Sequence, residues 1–362
     1  MTPYYLTFFI LASLHFVDLS KDKDNIKFIL IIAASFYLIL FAGLRALGTG
    51  SDDFNYYNMF IDVESLSDIL FKDVPFSFKQ YHKEYGYTFL NILLKSFTED
   101  YIVFFIFIAS LSVLINSYNY SKYSPYVFLS LLLYSVHGYI YKDLNQIRSG
   151  IAAAIALFTI VQIHNREHIK FFITIFIASF FHIAVLAIFL IYCISFFNID
   201  RNKGILIFLI GVSLGLVGIS SIIVGVLPED LNSATQTINN YSNSTSQSRN
   251  LGMFNITNVK SLFIFIALLL FYDRLEKEIK YFKTLFLFYV LAVSWRFAFS
   301  DFAILSGRIA TFFEIVEVIL LPSFLLIFRQ KFLISVLIIF YAFLILYLNL
   351  SKGKPPYALS IF

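Results

Sequence analysis

Twelve apolar runs, most of them near the length that spans a bilayer, dominate this chain. They fall at roughly 3–18, 26–43, 101–117, 125–141, 145–163, 169–181, 183–198, 204–227, 259–272, 282–300, 303–328 and 332–350. About 20 apolar residues in a helix cross the hydrocarbon core. Backbone groups in lipid must pair internally, so such runs fold as helices. The expected fold is an all-α polytopic membrane protein with about twelve crossings plus short interfacial helices. Composition agrees: only 14% of the 362 residues are charged, where a soluble domain carries about a quarter. The net charge of +4 lies mostly in short loops and reads as topology, not nucleic-acid binding. Cys193 is the only cysteine, which excludes an intramolecular disulfide and a Cys-based metal site. The first apolar run has no basic leader or cleavage site before it and reads as a retained helix.

Lys and Arg in short loops set orientation. Lys21/Lys23/Lys27, Lys122, Arg166/Lys170, Arg201/Lys203, Arg274/Lys277/Lys280/Lys283 and Arg329/Lys331 all fit the cytoplasmic side together. This holds if 86–98 forms an amphipathic helix too short to cross and 169–198 forms two short helices. Both termini then face outward. The chain reads as one integral membrane domain, 1–362, with an outer loop of short helices at 44–100 and a long polar outer loop at 228–258. The first loop carries Asp52, Asp53, Asp62, Glu64, Asp68, Asp73 and Glu84. The second is Asn/Ser/Thr-rich, suits a lid, and contains the glycosylation-type tripeptides Asn243-Ser244-Thr245 and Asn255-Ile256-Thr257.

This topology gathers polar residues at one level. Arg45, His137, Asn145, Gln146, Arg148, His182, Trp295, Arg296 and Arg308 all fall near outer helix ends. A charge in a bilayer costs a few kcal/mol at least, about 2.5–3.5 on insertion scales, so each needs a partner or a purpose. Arg45 fits an interfacial anchor and a ligand contact alike. Arg148 lies one turn after Asn145, followed by Gly150, Ala152, Ala153, Ala154 and Ala156, whose small side chains permit close packing and point Arg148 inward. Arg308 fits a ligand contact or a structural pair with a deeper Glu314 or Glu317. His182 fits a hydrogen-bonded structural residue or a base. His15, with no polar neighbour apparent in sequence, reads as structural. Asp52 and Asp53 fit a metal pair, a base, or a solvated turn with a helix cap. Gly48 and Gly50 fit a plain turn or backbone that approaches a phosphate.

Fixed guanidinium groups at a lipid–water boundary suit a lipid-linked pyrophosphate. Glycosyl transfer from such a donor needs a base for the acceptor hydroxyl and cations that stabilise the departing pyrophosphate. His182, Asp52, Asp53 and Glu84 are the base candidates. Arg45, Arg148 and Arg308 are the first substrate-binding candidates. Asn145, Gln146, Arg296 and Tyr56 follow.

Five short motifs occur in order. They are Gly43-Leu44-Arg45 with Gly48-Thr49-Gly50-Ser51-Asp52-Asp53 and Tyr56; Glu84-Tyr85-Gly86-Tyr87; Gln146-Ile147-Arg148-Ser149-Gly150-Ile151-Ala152; Ala178-Ser179-Phe180-Phe181-His182; and Gly307-Arg308-Ile309-Ala310 with Phe312 and Phe313. Together they resemble the EpsG-like, Wzy-type polysaccharide polymerases. Ser149 departs from that pattern, which has glutamine there, and Gly50-Ser51 lengthens the turn before the acid. The resemblance implies a GT-C-like bundle in a bacterial inner membrane, with its active site facing the periplasm. It implies transfer of undecaprenyl-pyrophosphate-linked oligosaccharide repeat units to build O-antigen, capsule or exopolysaccharide, without metal or nucleotide cofactor. It also implies a separate chain-length regulator as partner. The rivals are a lipid-linked oligosaccharide flippase, which would need cations through the depth of the bundle, an O-antigen ligase, which shares the donor, and a non-catalytic subunit of a polysaccharide assembly complex.

Overall fold

The computed structural model describes residues 1–20, 24–71, 84–220, 222, 252–353 and 355–360. Among these, regular structure is helical apart from one isolated bridge, Arg45 to Leu359. The first half of the chain forms α1 (Thr2–Asp18), α2 (Asp24–Gly43), α3 (Asp53–Asp62), α4 (Leu66–Phe71), α5 (Tyr85–Lys95), α6 (Tyr101–Tyr123) and α7 (Val127–Val136). A π-helical turn, Tyr139–Asp143, leads into α8 (Ile147–Ala156), α9 (Thr159–His164) and α10 (His168–Ser179). After a 3-10 segment, Ile183–Ala187, come α11 (Ile188–Ser195), α12 (Arg201–Val217), α13 (Ile256–Leu270), α14 (Tyr272–Glu278) and α15 (Phe282–Ala298). Then α16 (Ala303–Phe313), a 3-10 turn at Glu314–Val316, α17 (Glu317–Ile327) and α18 (Lys331–Ser351) complete the order.

Five spans among the described residues are long and apolar enough to cross a membrane: α2, α6, Ile147–His164, Ala303–Ile327 and α18. Counting the pair α13–α14, bent by 75°, makes six. Length alone therefore gives five or six crossings where twelve were expected. The reason is fragmentation: α7 has 10 residues and α10 has 12, while α1, α12 and α15 have 17 each. The expected short helices at 86–98 and 169–198 are present as α5 and as α10 with the 183–195 segment. Residues 228–251 of the long polar loop, with Asn243-Ser244-Thr245, and residues 72–83 of the first loop, with Asp73, lie outside the described residues. Asn255 does not stand open as a modification site. Its Oδ1 accepts from the Thr257 and Asn258 amides at 3.1 Å each and caps α13.

The chain divides into two compact units. The first comprises Met1–Thr159, His168–Ile183 and Val318–Phe362. Within it α1 packs on α7, α2 on α6, and α8 on α6 and α10. His15 is fully buried and pairs with Asp18, one turn along, at 3.3 Å, while its Nε2 lies 2.8 Å from Ser335 Oγ. Asp18 also accepts from the Phe128 amide at the start of α7, at 2.8 Å. This Asp–His–Ser chain is sealed from solvent and staples α1, α7 and α18. The structural reading of His15 thus gains the polar partner that went unnoticed in sequence.

The second unit comprises Ile160–Glu167 and Ala184–Glu317. Within it α12 packs extensively on α15. Gly204, Gly211 and Gly215 face α15, and a Cβ on Gly211 would sit 2.6 Å from the Ser294 carbonyl oxygen. Small residues of this kind let helices approach where lipid supplies no hydrophobic drive.

The last described residues return to the end of α2. The Ala46 amide donates to the Ala358 carbonyl at 2.8 Å, and the Ser360 amide to the Leu44 carbonyl at 2.9 Å. Tyr357 stacks on Phe41 with ring centroids 4.1 Å apart and donates its hydroxyl to the Phe41 carbonyl at 2.8 Å. Tyr4, near the start of α1, packs edge-on against both rings. Both ends of the chain therefore share the side that carries the Arg45 turn. Tyr357→Ala should lower the thermal midpoint of the purified protein, with a loss of about 1–3 kcal/mol for a half-buried aromatic. Tyr357→Phe should recover most of it, because the stack survives. Equal midpoints for Tyr357→Ala and wild type would show that the tail does not hold the turn.

Candidate functional site

The first unit brings nine of the eleven candidate residues to one end: Arg45, Asp52, Asp53, Tyr56, Glu84, Asn145, Gln146, Arg148 and His182. The chain leaves α2 through a turn in which Gly48 has φ +92°, a region that favours glycine. Gly50 has no room for a side chain, since a Cβ would collide with the Leu144 carbonyl.

Arg45 is 1% exposed and Asp53 is 0% exposed. Arg45 Nε and Nη2 donate to Asp53 Oδ1 at 3.0 and 2.9 Å, and the guanidinium lies 4.3 Å from the Phe105 ring centroid. Asp53 Oδ2 accepts from the Gly50 amide at 2.6 Å. Asn145 Oδ1 accepts from the Ser51 amide at 2.8 Å, and its amide group donates to the Ile140 carbonyl at 3.1 Å. The Gly50 and Ser51 amides are spent within the protein, which supports the plain-turn reading. Arg45 and Asp53 are sealed against each other. Asn145 is the clip that holds the turn to the start of α8.

α3 begins at Asp53 and has two faces. Asp53, Tyr56, Phe60 and Val63 are buried. Tyr56 and Phe60 join Tyr87, Leu94, Phe104, Phe105, Ile108, Ile147 and Ile151 in one core cluster. α5 is fixed across this cluster and tied to the end of α10, because the Gly86 amide donates to the Phe180 carbonyl at 3.0 Å. That bond brings the Glu84 and His182 stretches to the same end of the unit. Glu84 forms an ion pair with Arg148. The Arg148 guanidinium lies 5.6 Å from the Tyr56 ring and 5.9 Å from the Tyr87 ring, and its Nε is buried without a hydrogen-bond partner. Burial is the largest influence on Tyr56 and raises its pKa; Arg148 opposes the shift without cancelling it. The phenol therefore stays protonated and available as a donor.

A cleft of about 370 Å³ opens here, lined by Asp52, Asn55, Tyr56, Asn58, Met59, Asp62 and Arg148. Three of these were expected as site residues. Asn55, Asn58 and Met59 were not singled out, and Asp62 was noted only as one loop carboxylate. Their signal was present: 52, 55, 59 and 62 recur at helical spacing on one face. Asp143 also went unnoticed. It is 4% exposed and accepts from the Tyr134 hydroxyl at 2.7 Å. Burial pushes its pKa up to about 6.

Arg296 and Arg308 belong to the second unit. Arg296 is 6% exposed and paired with both carboxylate oxygens of Glu314, with Nη2 to Oε2 at 2.6 Å. Ser261 adds a hydrogen bond to Glu314 at 3.2 Å, and Lys260 pairs with Glu317 at 2.9 Å. Of the two acidic partners considered for Arg308, Glu314 pairs with Arg296 and Glu317 with Lys260. Arg308 is exposed on α16. Among the described residues no group of three His, Cys, Asp or Glu side chains is placed to hold a metal.

The sequence matches the EpsG family over residues 28–358. The chain belongs to the EpsG family. The family match includes every candidate residue above and runs as far as Ala358, within the returning tail. The chain is 29% identical over 330 residues to the amylovoran biosynthesis protein AmsC of Erwinia amylovora. That alignment covers 89% of this EpsG-family chain and 85% of AmsC. No solved structure gives a significant match.

Proposed function

We propose that this EpsG-family chain is a polysaccharide polymerase. It joins undecaprenyl-pyrophosphate-linked oligosaccharide repeat units by glycosyl transfer at the periplasmic face of a bacterial inner membrane. The similarity to an amylovoran biosynthesis protein favours exopolysaccharide as the product. A full complement of about twelve crossings, a GT-C-like relationship and a chain-length regulator belong to the same reading.

The observation that carries the proposal is the Glu84–Arg148 pair at the wall of an open polar cleft. In the reaction, a hydroxyl oxygen of the acceptor sugar attacks the anomeric carbon of the donor. The bond from that carbon to the diphosphate oxygen breaks, and its electron pair leaves on the undecaprenyl diphosphate. The hydroxyl proton goes to a base. Asp52 is the best placed of the original candidates, since it lines the cleft and is half-buried. Asp53 is committed to Arg45 and Glu84 to Arg148. His182, at the same end of the unit, is the second choice. Arg148 orients substrate, and Arg308 is a candidate donor contact on its own unit.

Arg148→Ala should collapse the polymer ladder to single repeats attached to their acceptor, at unchanged protein level in the membrane. Flipping and ligation would still be working. Loss of every attached sugar, single repeats included, would instead indicate a flippase or ligase. An unchanged ladder would remove Arg148 from the substrate site.

A further inference from the structure

We infer that the α3 cleft is a subsite for uncharged sugar hydroxyls, the acceptor end of the glycan, and not a seat for the diphosphate. The inference rests on the polymerase reading and refines it.

The lining carries two carboxylates, Asp52 and Asp62, and two amides, Asn55 and Asn58. The cation at its wall, Arg148, is already balanced by Glu84. The field in the cleft is therefore negative, which disfavours a diphosphate carrying two or more negative charges. The same groups match a polyol. A carboxylate accepts from two hydroxyls at once, and each amide both donates and accepts. Neighbouring hydroxyls on a sugar ring present that mixture.

The helix makes this arrangement specific. On α3 the arc Asp53, Tyr56 and Phe60 is buried in the core, while Asn55, Asn58 and Asp62 on the adjoining arc are exposed to the cleft. The polar lip is thus mounted on a helix whose other face is fixed. Buried Tyr56 and half-buried Met59 complete the lining. A volume of about 370 Å³ lies within the range of roughly 300–1,000 Å³ usual for small-molecule pockets. Polar groups that hydrogen-bond a sugar hydroxyl favour a ligand that carries it over an analogue that lacks it, by the modest amount exposed groups allow. Asn55, Asn58 and Asp62 are accordingly the residues that select which repeat unit is extended.

The test is binding to the purified full-length protein in detergent, read by saturation-transfer NMR and thermophoresis. The probes are the repeat-unit oligosaccharide released by mild acid from the lipid carrier of the same bacterium, and inorganic pyrophosphate. The oligosaccharide should bind, and pyrophosphate should not displace it. Asn55→Ala, Asn58→Ala and Asp62→Asn, all at exposed positions, should each weaken binding by about tenfold, the loss of one good hydrogen bond to a charged or amide group. Wild-type binding in the triple variant, or displacement by pyrophosphate, would overturn the inference. The two readings fail separately. A ladder that collapses in Arg148→Ala while the α3 variants bind normally leaves the polymerase and removes the subsite. Binding lost in the α3 variants while Arg148→Ala loses every attached sugar, single repeats included, leaves the subsite and removes the polymerase.

Discussion

Asp53→Ala should leave little folded protein after mild heating, because it strands Arg45 as a buried, unpaired charge. Both groups are almost fully buried, and removing one partner of such a pair typically costs about 3–5 kcal/mol. A domain has only about 5–15 kcal/mol to lose. The mutation also leaves the Gly50 amide without its acceptor, which adds to the damage. Arg45→Ala should cost less than Asp53→Ala: either group left behind keeps one backbone partner, the Gly50 amide for Asp53 and the Ala42 carbonyl for Arg45, but only Asp53→Ala also leaves the Gly50 amide without its acceptor. Arg45→Lys should not restore the wild type, because two donors from one planar guanidinium reach Asp53 Oδ1 and an ammonium cannot reproduce that fork. Size-exclusion profiles of membrane extracts after graded heating would rank the variants. Survival of Asp53→Ala equal to wild type would mean that water reaches this pair.

Glu314→Ala is the second large effect. It abandons Arg296, held by both carboxylate oxygens and 6% exposed, at the point where α16 gives way to a 3-10 turn. The expected cost is again about 3–5 kcal/mol. Glu317→Ala provides the contrast. Its partner Lys260 has a flexible stem and a partly exposed side chain, so the ammonium can swing toward solvent. The predicted order of thermal midpoints is wild type, then Glu317→Ala, then Glu314→Ala. A reversal would show that the Lys260 pair holds this unit and the Arg296 pair does not.

Helical, membrane-spanning character was legible in the sequence because it depends on local apolar length, which no distant contact alters. Short helices at 86–98 and 169–198 were legible for the same reason. Which charges would face a ligand was not legible. Arg45 and Asp53 stand eight residues apart across a glycine turn, and only the path of that turn shows that they meet. Arg296 and Glu314 lie on successive helices. Arg308, closer to Glu314 along the chain, looked the more natural partner, yet it is exposed on α16. The α3 cleft lay between these cases. Its helical spacing could be read, but the carboxylates around it drew attention to acid chemistry and away from Asn55 and Asn58. The number of crossings was less legible, because short and broken helices carry the same composition as long ones, and length alone admits only five or six spans among the described residues.

The returning tail has a consequence for how the protein is made. Tyr357 reaches Phe41 across 316 residues of chain. The turn that carries Arg45 is made early, but its β-bridge partner Leu359 and its aromatic cover Tyr357 follow every described helix. A chain that stops before residue 357 therefore lacks both the bridge and the ring that close this turn. Closure of the Arg45 turn is thus coupled to the synthesis and placement of α18.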